Sequence, residues 1–393
     1  MILIIGGGPA GLAAALALNG KAMLLERNPQ CGKKLLLSGK GQCNFTNALP
    51  KAEFLKRCGE YANWLKPALY AFDNQALIQL LEDSGCPSFS REDGKVFPTS
   101  LKAADVRNAL LDKALALGTQ FCYDTTVTSM QKDNDNFTLQ TDTGEKLTAS
   151  HLILCSGGAA WPQTGSDGSG YDLAKNLGHT ILMPKPALAS ISLPSPNAFS
   201  ACAGLGLKDI RLHLGKHSSR GDLLFTHQGL SGPLILDNSH LMNKGQTIHL
   251  EILPAADKLL PGMMTKSPKK SILSVLHHCN LAESLGTAIL SILDIPPTTI
   301  AAELKAAQRH ALINWLQRAP FTIAEIESLN TAMSDFGGVV LREVNAKTMQ
   351  SRIIPGLFLA GESLAYSLPT GGFSIQMAFS TGWLAGKTIL NNI

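Results

Sequence analysis

Three glycines, Gly6, Gly8 and Gly11, stand in the order G-x-G-x-x-G within Gly6-Gly7-Gly8-Pro9-Ala10-Gly11. Each has a job that a side chain would spoil: Gly6 permits a tight turn, Gly8 lets a pyrophosphate reach bare backbone, and Gly11 lets a helix pack closely on a sheet. About twenty residues after Gly6 stands Glu26, whose carboxylate is placed to accept hydrogen bonds from an adenosine ribose. A glycine pattern alone is a weak signal. A purely structural glycine turn, however, explains neither Glu26 nor the lack of side chains at the turn. Lys33, Lys34 and Lys40 follow in a Gly/Ser/Asn-rich stretch where they could neutralise phosphate, although for any one of them a solvated basic loop is the better reading. His227, at the end of the apolar run Leu223 to Phe225, is the candidate general acid or base, with a turn-locking histidine as the plainer alternative. The chain has eight cysteines with no C-x-x-C pair, which argues against a dithiol reductase and against a metal knuckle. No metal site is expected.

The elements that must position these residues are readable in order. Ile2 to Ile5 is a short uncharged run suited to a buried parallel strand, Leu12 to Leu18 reads as the helix whose N-terminus meets phosphate, and Lys21 to Leu25 is a second buried strand ending on Glu26. Ile2 to Leu18 lacks the basic leader of a signal peptide and places glycines where a signal helix would not want them. Glu53 to Gly85 is mostly helical, Arg91 to Pro98 a turn into a strand, and Lys102 to Leu117 an amphipathic helix. Thr119 to Ser129, Asn136 to Thr141 and Lys146 to Ala149 read as a three-stranded meander. His151 to Cys155 then returns as a buried strand ending in Ser156-Gly157-Gly158.

This order predicts an α/β fold, the FAD-binding domain of the glutathione-reductase type. The chain comes home at Gly356 to Glu362, a strand running into a Gly-acid turn, and at a closing helix over Gln376 to Leu390 whose N-terminus would face the pyrimidine end of a flavin. Between them, Ala187 to Leu253 is strand-rich, and Pro254 to Arg318 is helical with a weak basic bias. The expected organisation is therefore 1–186 and 340–393 for the FAD-binding domain, 187–254 and 319–339 for an inserted β-rich domain, and 255–318 for a helical subdomain. Gly165-Ser166-Asp167-Gly168-Ser169-Gly170 has the wrong order and spacing for a second dinucleotide fingerprint. A length of 393 residues calls for more than one domain. The net charge of +4 and the 6% aromatic content neither demand nor favour a nucleic-acid partner. No later apolar run is long enough to span a bilayer, so a soluble, cytoplasmic protein without membrane attachment is expected.

Several stretches are similar to the bacterial flavoproteins called YhiN-like or BaiN-like, also labelled the aminoacetone oxidase family of FAD-binding enzymes. They are Gly6 to Gly11, Ser38 to Asn47, Val96-Phe97-Pro98, Leu224 to Pro233, Lys347 to Ser351, and Gly361-Glu362 with Gly371-Gly372. The resemblance implies a FAD domain assembled from both chain ends around an inserted domain, and activities that include amine oxidation, reduction of steroid-like enones and reduction of a uridine in ribosomal RNA. The chain departs from the family at Gln42, where an Arg is usual, at Ala365, where an Asp is common, and at Phe373 and Ser374.

The reading is of a noncovalent FAD oxidoreductase moving hydride between flavin N5 and an organic substrate, with NAD(P)H as a candidate reductant. The expected cofactor residues are Gly6, Gly8, Pro9, Ala10, Gly11, Glu26, Arg27, Lys34, Ser38, Gly39, Gly41, Gln42, Cys43, Asn44 and Thr46. Val127 is expected at the adenine, Ser156, Gly157 and Gly158 at the second approach to the dinucleotide, and Gly361, Glu362, Gly372, Phe373, Ser374 and Ile375 at the ribityl chain and isoalloxazine. A small organic substrate is preferred over RNA. A flavin-bound regulatory module without turnover is the reading from another class.

Overall fold

The computed structural model describes residues 1–195 and 197–392. The chain forms two compact units, Met1–Ala187 with Leu329–Ile393, and Leu188–Ser328.

The first unit is built on a five-stranded parallel sheet. Ile2–Ile5 lies at its centre, with Ala22–Leu25 and then Gln120–Cys122 on one side and His151–Leu154 and then Leu357–Leu359 on the other. All four residues of the first strand are buried, as a strand covered on both faces must be. The crossover helix Pro9–Ala17 has Gly8 as its N-cap and proline in its first turn, where a missing N–H costs nothing. The closing helix runs over Phe373–Asn392, starting three residues earlier than its apolar pattern suggests. It packs backbone to backbone on the crossover helix. A Cβ on Gly382 would overlap the Ala10 carbonyl, and one on Gly386 would lie 2.6 Å from the Ala14 carbonyl oxygen. Helical segments Lys51–Arg57, Ala62–Ala71, Asn74–Asp83 and Ala103–Ala116 complete this unit's core.

Two expectations about elements need correction. The run Thr119 to Ser129 is not one meander strand: it divides at Tyr123, with Gln120–Cys122 joining the parallel sheet and Val127–Asp133 starting a separate three-stranded sheet with Asn136–Thr141 and Lys146–Ala149. Phe121, Cys122 and Tyr123 are all half-buried at the break, so no change of alternation marks the corner. Ser334–Val339, expected in the insert, pairs antiparallel with Ile181–Ala187 inside the first unit.

The second unit holds a seven-stranded sheet. Its helices Ala256–Lys266, Ile272–His278, Glu283–Ile292 and Ala306–Gln317 share one apolar core with that sheet, from Leu212, Phe225 and Ile248 through Leu260, Leu276 and Ile289 to Leu316. Sheet and helices thus form a single unit, where the sequence suggested an insert and a subdomain.

Candidate active site: a dinucleotide cradle in the first unit

The three glycines meet three different surroundings. Gly6 has φ +102°, and a Cβ there would stand 2.5 Å from the Cys155 carbonyl oxygen of the neighbouring strand. A Cβ on Gly11 would overlap the Gly6 carbonyl oxygen, so helix and turn can approach only with glycine at that position. Gly8 is the opposite case. Its backbone is ordinary, with φ −76°, and nothing of the protein lies within 4 Å of the Cβ it lacks. Its missing side chain therefore opens space for a ligand at the start of a helix that has no acidic residue in its first turn, where free N–H groups and the helix dipole favour phosphate. Pro9 and Ala10 form the first helical turn.

Glu26 is buried, and its carboxylate is fixed on both oxygens. Oε2 accepts from the Gly7 N–H at 2.7 Å, and Oε1 accepts from the Asn28 N–H at 2.9 Å and Nδ2 at 2.7 Å. Strand end and glycine turn are thereby tied together. Arg27 is turned to the 165–169 turn, donating to Asp167 Oδ2 at 2.6 Å and the Gly165 carbonyl at 3.1 Å. The glycine-rich stretch there is thus a clasp on the first unit's own chain. Lys34 pairs with Glu362 at 2.7 Å, joining the early loop to the late Gly-acid turn.

The loop after Glu26 folds as tight turns over Leu35–Gly41 in which Gly39 and Lys40 take left-handed backbone. Ser38 Oγ donates to the Leu35 carbonyl, and burial pushes the Cys43 thiol up to about 12, which makes it a packing residue. Gln42, where the resembling family carries Arg, accepts from Arg91 Nη2 at 3.0 Å, and that guanidinium lies 3.9 Å from the Phe97 ring centre. A guanidinium is thus held beside position 42 from another part of the chain. Thr46 Oγ1 donates to Gln376 Oε1 at 2.6 Å, and the neighbouring Gly372, at φ +93°, lies so close to Thr46 that a Cβ would come 2.5 Å from its carbonyl. The N-terminus of the closing helix, with Phe373 buried and Ser374 and Ile375 half-buried, is therefore seated on the Asn44–Thr46 segment. Gly361 backs onto Ala10, 2.9 Å from a would-be Cβ to the Ala10 methyl. The two ends of the chain meet at the glycine turn. Gly157 has φ +81°, Ser156 faces Gly170, and Val127 is buried at the start of the meander.

Whether these residues fit a dinucleotide is tested by what they leave unmet. Asn44 Oδ1 and Ser363 Oγ are buried with no hydrogen-bond partner among the described residues, the first in the segment that seats the closing helix and the second in the Gly-acid turn whose Gly361 backs onto Ala10. Buried polar atoms are normally paired, so an open Gly8 and the orphaned groups in these two segments suit a polar ligand. The residues fit FAD. Among the described residues no group of His, Cys, Asp and Glu is arranged to hold a metal ion, and no helix is long and apolar enough to cross a membrane.

His227 lies in the second unit, exposed in the turn between strands His217–Phe225 and Gly229–Ser231. Its carbonyl accepts from Asn197 Nδ2, and its ring makes no hydrogen bond among the described residues. A depression of about 400 Å³ in that unit, lined by His213, Glu251, Asn314, Gln317 and Arg318, contains none of the predicted site residues.

Sequence reading missed the buried acid Asp335, whose Oδ2 lies at hydrogen-bond distance, 2.7 Å, from Tyr171 Oη. The same hydroxyl lies 3.1 Å from the Glu362 carbonyl. The only signal was an acid two residues ahead of a Gly-Gly pair, and the wrong domain assignment for 334–339 hid it.

A parallel sheet whose first crossover begins at an open glycine turn, and whose last strand feeds a Gly-acid turn against that crossover, is a Rossmann-like FAD-binding domain, and the chain is an FAD-dependent oxidoreductase. It belongs to the HI0933-like family, whose Rossmann-domain model matches residues 1–388. A 3-dehydro-bile acid delta(4,6)-reductase of Clostridium scindens is 30% identical over 404 residues, covering 98% of this chain and 97% of that protein. A ribosomal RNA dihydrouridine synthase of Escherichia coli is 28% identical over 397 residues, covering 99% and 97%. Among solved structures, a 3-ketosteroid delta1-dehydrogenase from Sterolibacterium denitrificans superposes with a TM-score of 0.54 at 11% identity over 100% of this chain and 99% of that one, a likeness of fold.

Proposed function

We propose that this flavoenzyme reduces a carbon–carbon double bond conjugated to a carbonyl in a small organic substrate, with NAD(P)H as the electron source. The observation that carries the cofactor side is the open face of Gly8 at the helix N-terminus. For the substrate, the support is chemical: the names of two full-length relatives, a 3-dehydro-bile acid delta(4,6)-reductase and a dihydrouridine synthase, both describe saturation of such a bond. When bound, FAD supplies a two-electron carrier that exchanges hydride at N5.

The chain's own residues then have distinct tasks. The N–H groups of Gly8, Ala10 and Gly11 hold the pyrophosphate in the Gly6 to Gly11 turn, Glu26 accepts from the adenosine ribose, and Val127 packs on the adenine. Gly361 and Glu362 bond the ribityl chain, and the N–H groups at Phe373 to Ile375 face the pyrimidine edge, where negative charge develops on reduction. His227 is the proposed proton donor to the carbon beside the carbonyl, an assignment supported by an exposed imidazole not committed to the fold.

A second reading, RNA, draws on the dihydrouridine synthases and on Lys266, Lys269 and Lys270, which are all exposed in the second unit. The modest net charge and low aromatic content weigh against it. The deciding experiment starts with anaerobic flavin bleaching by NADPH and by NADH. The reduced protein is then mixed with a 3-keto-4-ene steroid or with unmodified ribosomal RNA, and return of the flavin absorbance is followed. Reoxidation by the steroid is expected. Reoxidation by RNA alone, with dihydrouridine formed and binding that weakens steeply with salt, overturns the small-molecule reading. No bleaching by either nicotinamide removes NAD(P)H as donor.

A further inference from the structure

We propose that Asp335 is a positioning residue for the cofactor: as a neutral acid it fixes the Gly361–Glu362 turn through Tyr171, so that FAD binding requires a proton on Asp335. The proposal rests on the reading above that this turn holds the ribityl chain.

The argument begins with one hydrogen and two acceptors. Tyr171 Oη lies 2.7 Å from Asp335 Oδ2 and 3.1 Å from the Glu362 carbonyl oxygen, but a phenol has a single O–H to donate. Were Asp335 ionised, the charge-assisted bond would draw that hydrogen to the carboxylate and leave the Glu362 carbonyl without its donor. With Asp335 neutral, its own O–H donates to Oη, the phenol O–H donates to the Glu362 carbonyl, and the chain of bonds is complete.

The surroundings favour the neutral form. Asp335 is buried, and its Oδ1 has no partner among the described residues. That oxygen is pressed into the space that Gly158 leaves free, where a Cβ would collide with it. An ionised oxygen so placed is costly. The charged groups facing it are Glu362 on the late turn and Lys34 on the early loop, which pair with each other at 2.7 Å, while Ser334 Oγ donates to the other Glu362 oxygen at 2.7 Å. Lys34 and Glu362 cancel, so a second carboxylate there would stand uncompensated. Burial first, and then the Glu362 charge, push the Asp335 acid up; the Tyr171 hydroxyl, Lys34 and the Ala159 backbone N–H act the other way. Burial likewise pushes Tyr171 up, keeping it a donor.

The test is FAD release from the full-length protein across pH, read by recovery of free-flavin fluorescence. FAD should be held more weakly, by about tenfold for one lost hydrogen bond, as pH rises through the Asp335 dissociation. Asp335→Asn, a permanently neutral donor, should keep the low-pH affinity at every pH, and Tyr171→Phe should be weaker throughout with little pH slope. An Asp335→Asn protein that retains the wild-type slope, or a wild-type profile that is flat, overturns the proposal. Gly8→Ala is measured alongside: if it binds FAD normally, the cradle reading is at fault, whereas a flat wild-type profile with Gly8→Ala impaired condemns only the role of Asp335. Should Asp335→Asn fail to fold, the infrared spectrum of the wild-type holoprotein decides. A protonated carboxyl stretch near neutral pH that shifts in heavy water supports the proposal, and its absence overturns it.

Discussion

Gly8 and Gly11 are three residues apart in one turn, yet alanine at the two positions should have opposite effects, and the contrast tests the site at its centre. At Gly11 the new methyl would overlap the Gly6 carbonyl oxygen, and both are backbone that a side-chain rotation cannot move. Turn and helix must separate, which as overpacking costs about 1–3 kcal/mol of stability. At Gly8 the methyl meets nothing of the protein within 4 Å, and the φ of −76° suits alanine. Stability should hold or rise by roughly 0.4–1 kcal/mol as the unfolded chain loses freedom. The methyl nevertheless projects where the pyrophosphate is proposed to meet backbone N–H groups. Loss of one or two charge-assisted hydrogen bonds, each worth about 1.5–3 kcal/mol, weakens FAD roughly ten- to ten-thousand-fold. Thermal unfolding of each variant without flavin gives the stability, and fluorescence titration with FAD gives the affinity. If Gly8→Ala binds FAD as the wild type does, or melts as early as Gly11→Ala, the assignment of the open face to the pyrophosphate is refuted.

Other perturbations probe the rest of the molecule. His179 is buried with Nδ1 3.1 Å from Glu343 Oε2 and Nε2 3.0 Å from Ser351 Oγ; burial pushes its pKa below the ordinary 6.5, with Glu343 opposing. A depressed folded-state value means that the unfolded chain binds the proton more tightly, so the melting temperature should hold above about pH 6.5 and fall as pH drops through the depressed value, with a shallower fall in His179→Gln. Thiol reagents should label Cys122 and Cys279, which are half-buried, and reach the others only on unfolding; Cys31, Cys43 and Cys58 are pushed up to about 12 by burial, and rapid labelling of any of these would contradict the packing. His227→Ala should keep its full FAD content while turnover falls by roughly 10²–10⁴ if the imidazole donates the proton; unchanged turnover removes that role.

The cradle was legible in the sequence because its requirements are local. Gly8 and Gly11 answer to an opening and a clash within one turn, and Glu26 is placed by the length of one strand–helix–strand unit. The meander corner at Tyr123 was not legible, because Gln120–Cys122 takes its sheet partner from Met23 to Leu25, far back in the sequence, and no local pattern reports that pairing. Nor was Asp335, whose meaning depends on Tyr171 and Glu362, residues distant in sequence that meet only in the fold. The placement of Ser334–Val339 had the same cause: its pairing with Ile181–Ala187 spans the whole second unit, and no short-range pattern reports such a partner.

That long-range closure also explains why the site is built from both ends of the chain. The crossover helix is short, nine residues, and isolated helices of that length are marginal in water. Its stability must come from packing, and the closing helix supplies it through Gly382 and Gly386. The same docking sets Gly361 against Ala10 and seats Gly372 on Thr46, so the late segments reach the cofactor only when the early ones are in register. A polar ligand that touches the glycine turn, the Asn44–Thr46 segment and the Gly361–Glu362 turn at once therefore spans every junction of this assembly. Binding energy spent at any one of them stabilises the joining of both chain ends, and FAD would act as a structural link between them as well as the redox centre.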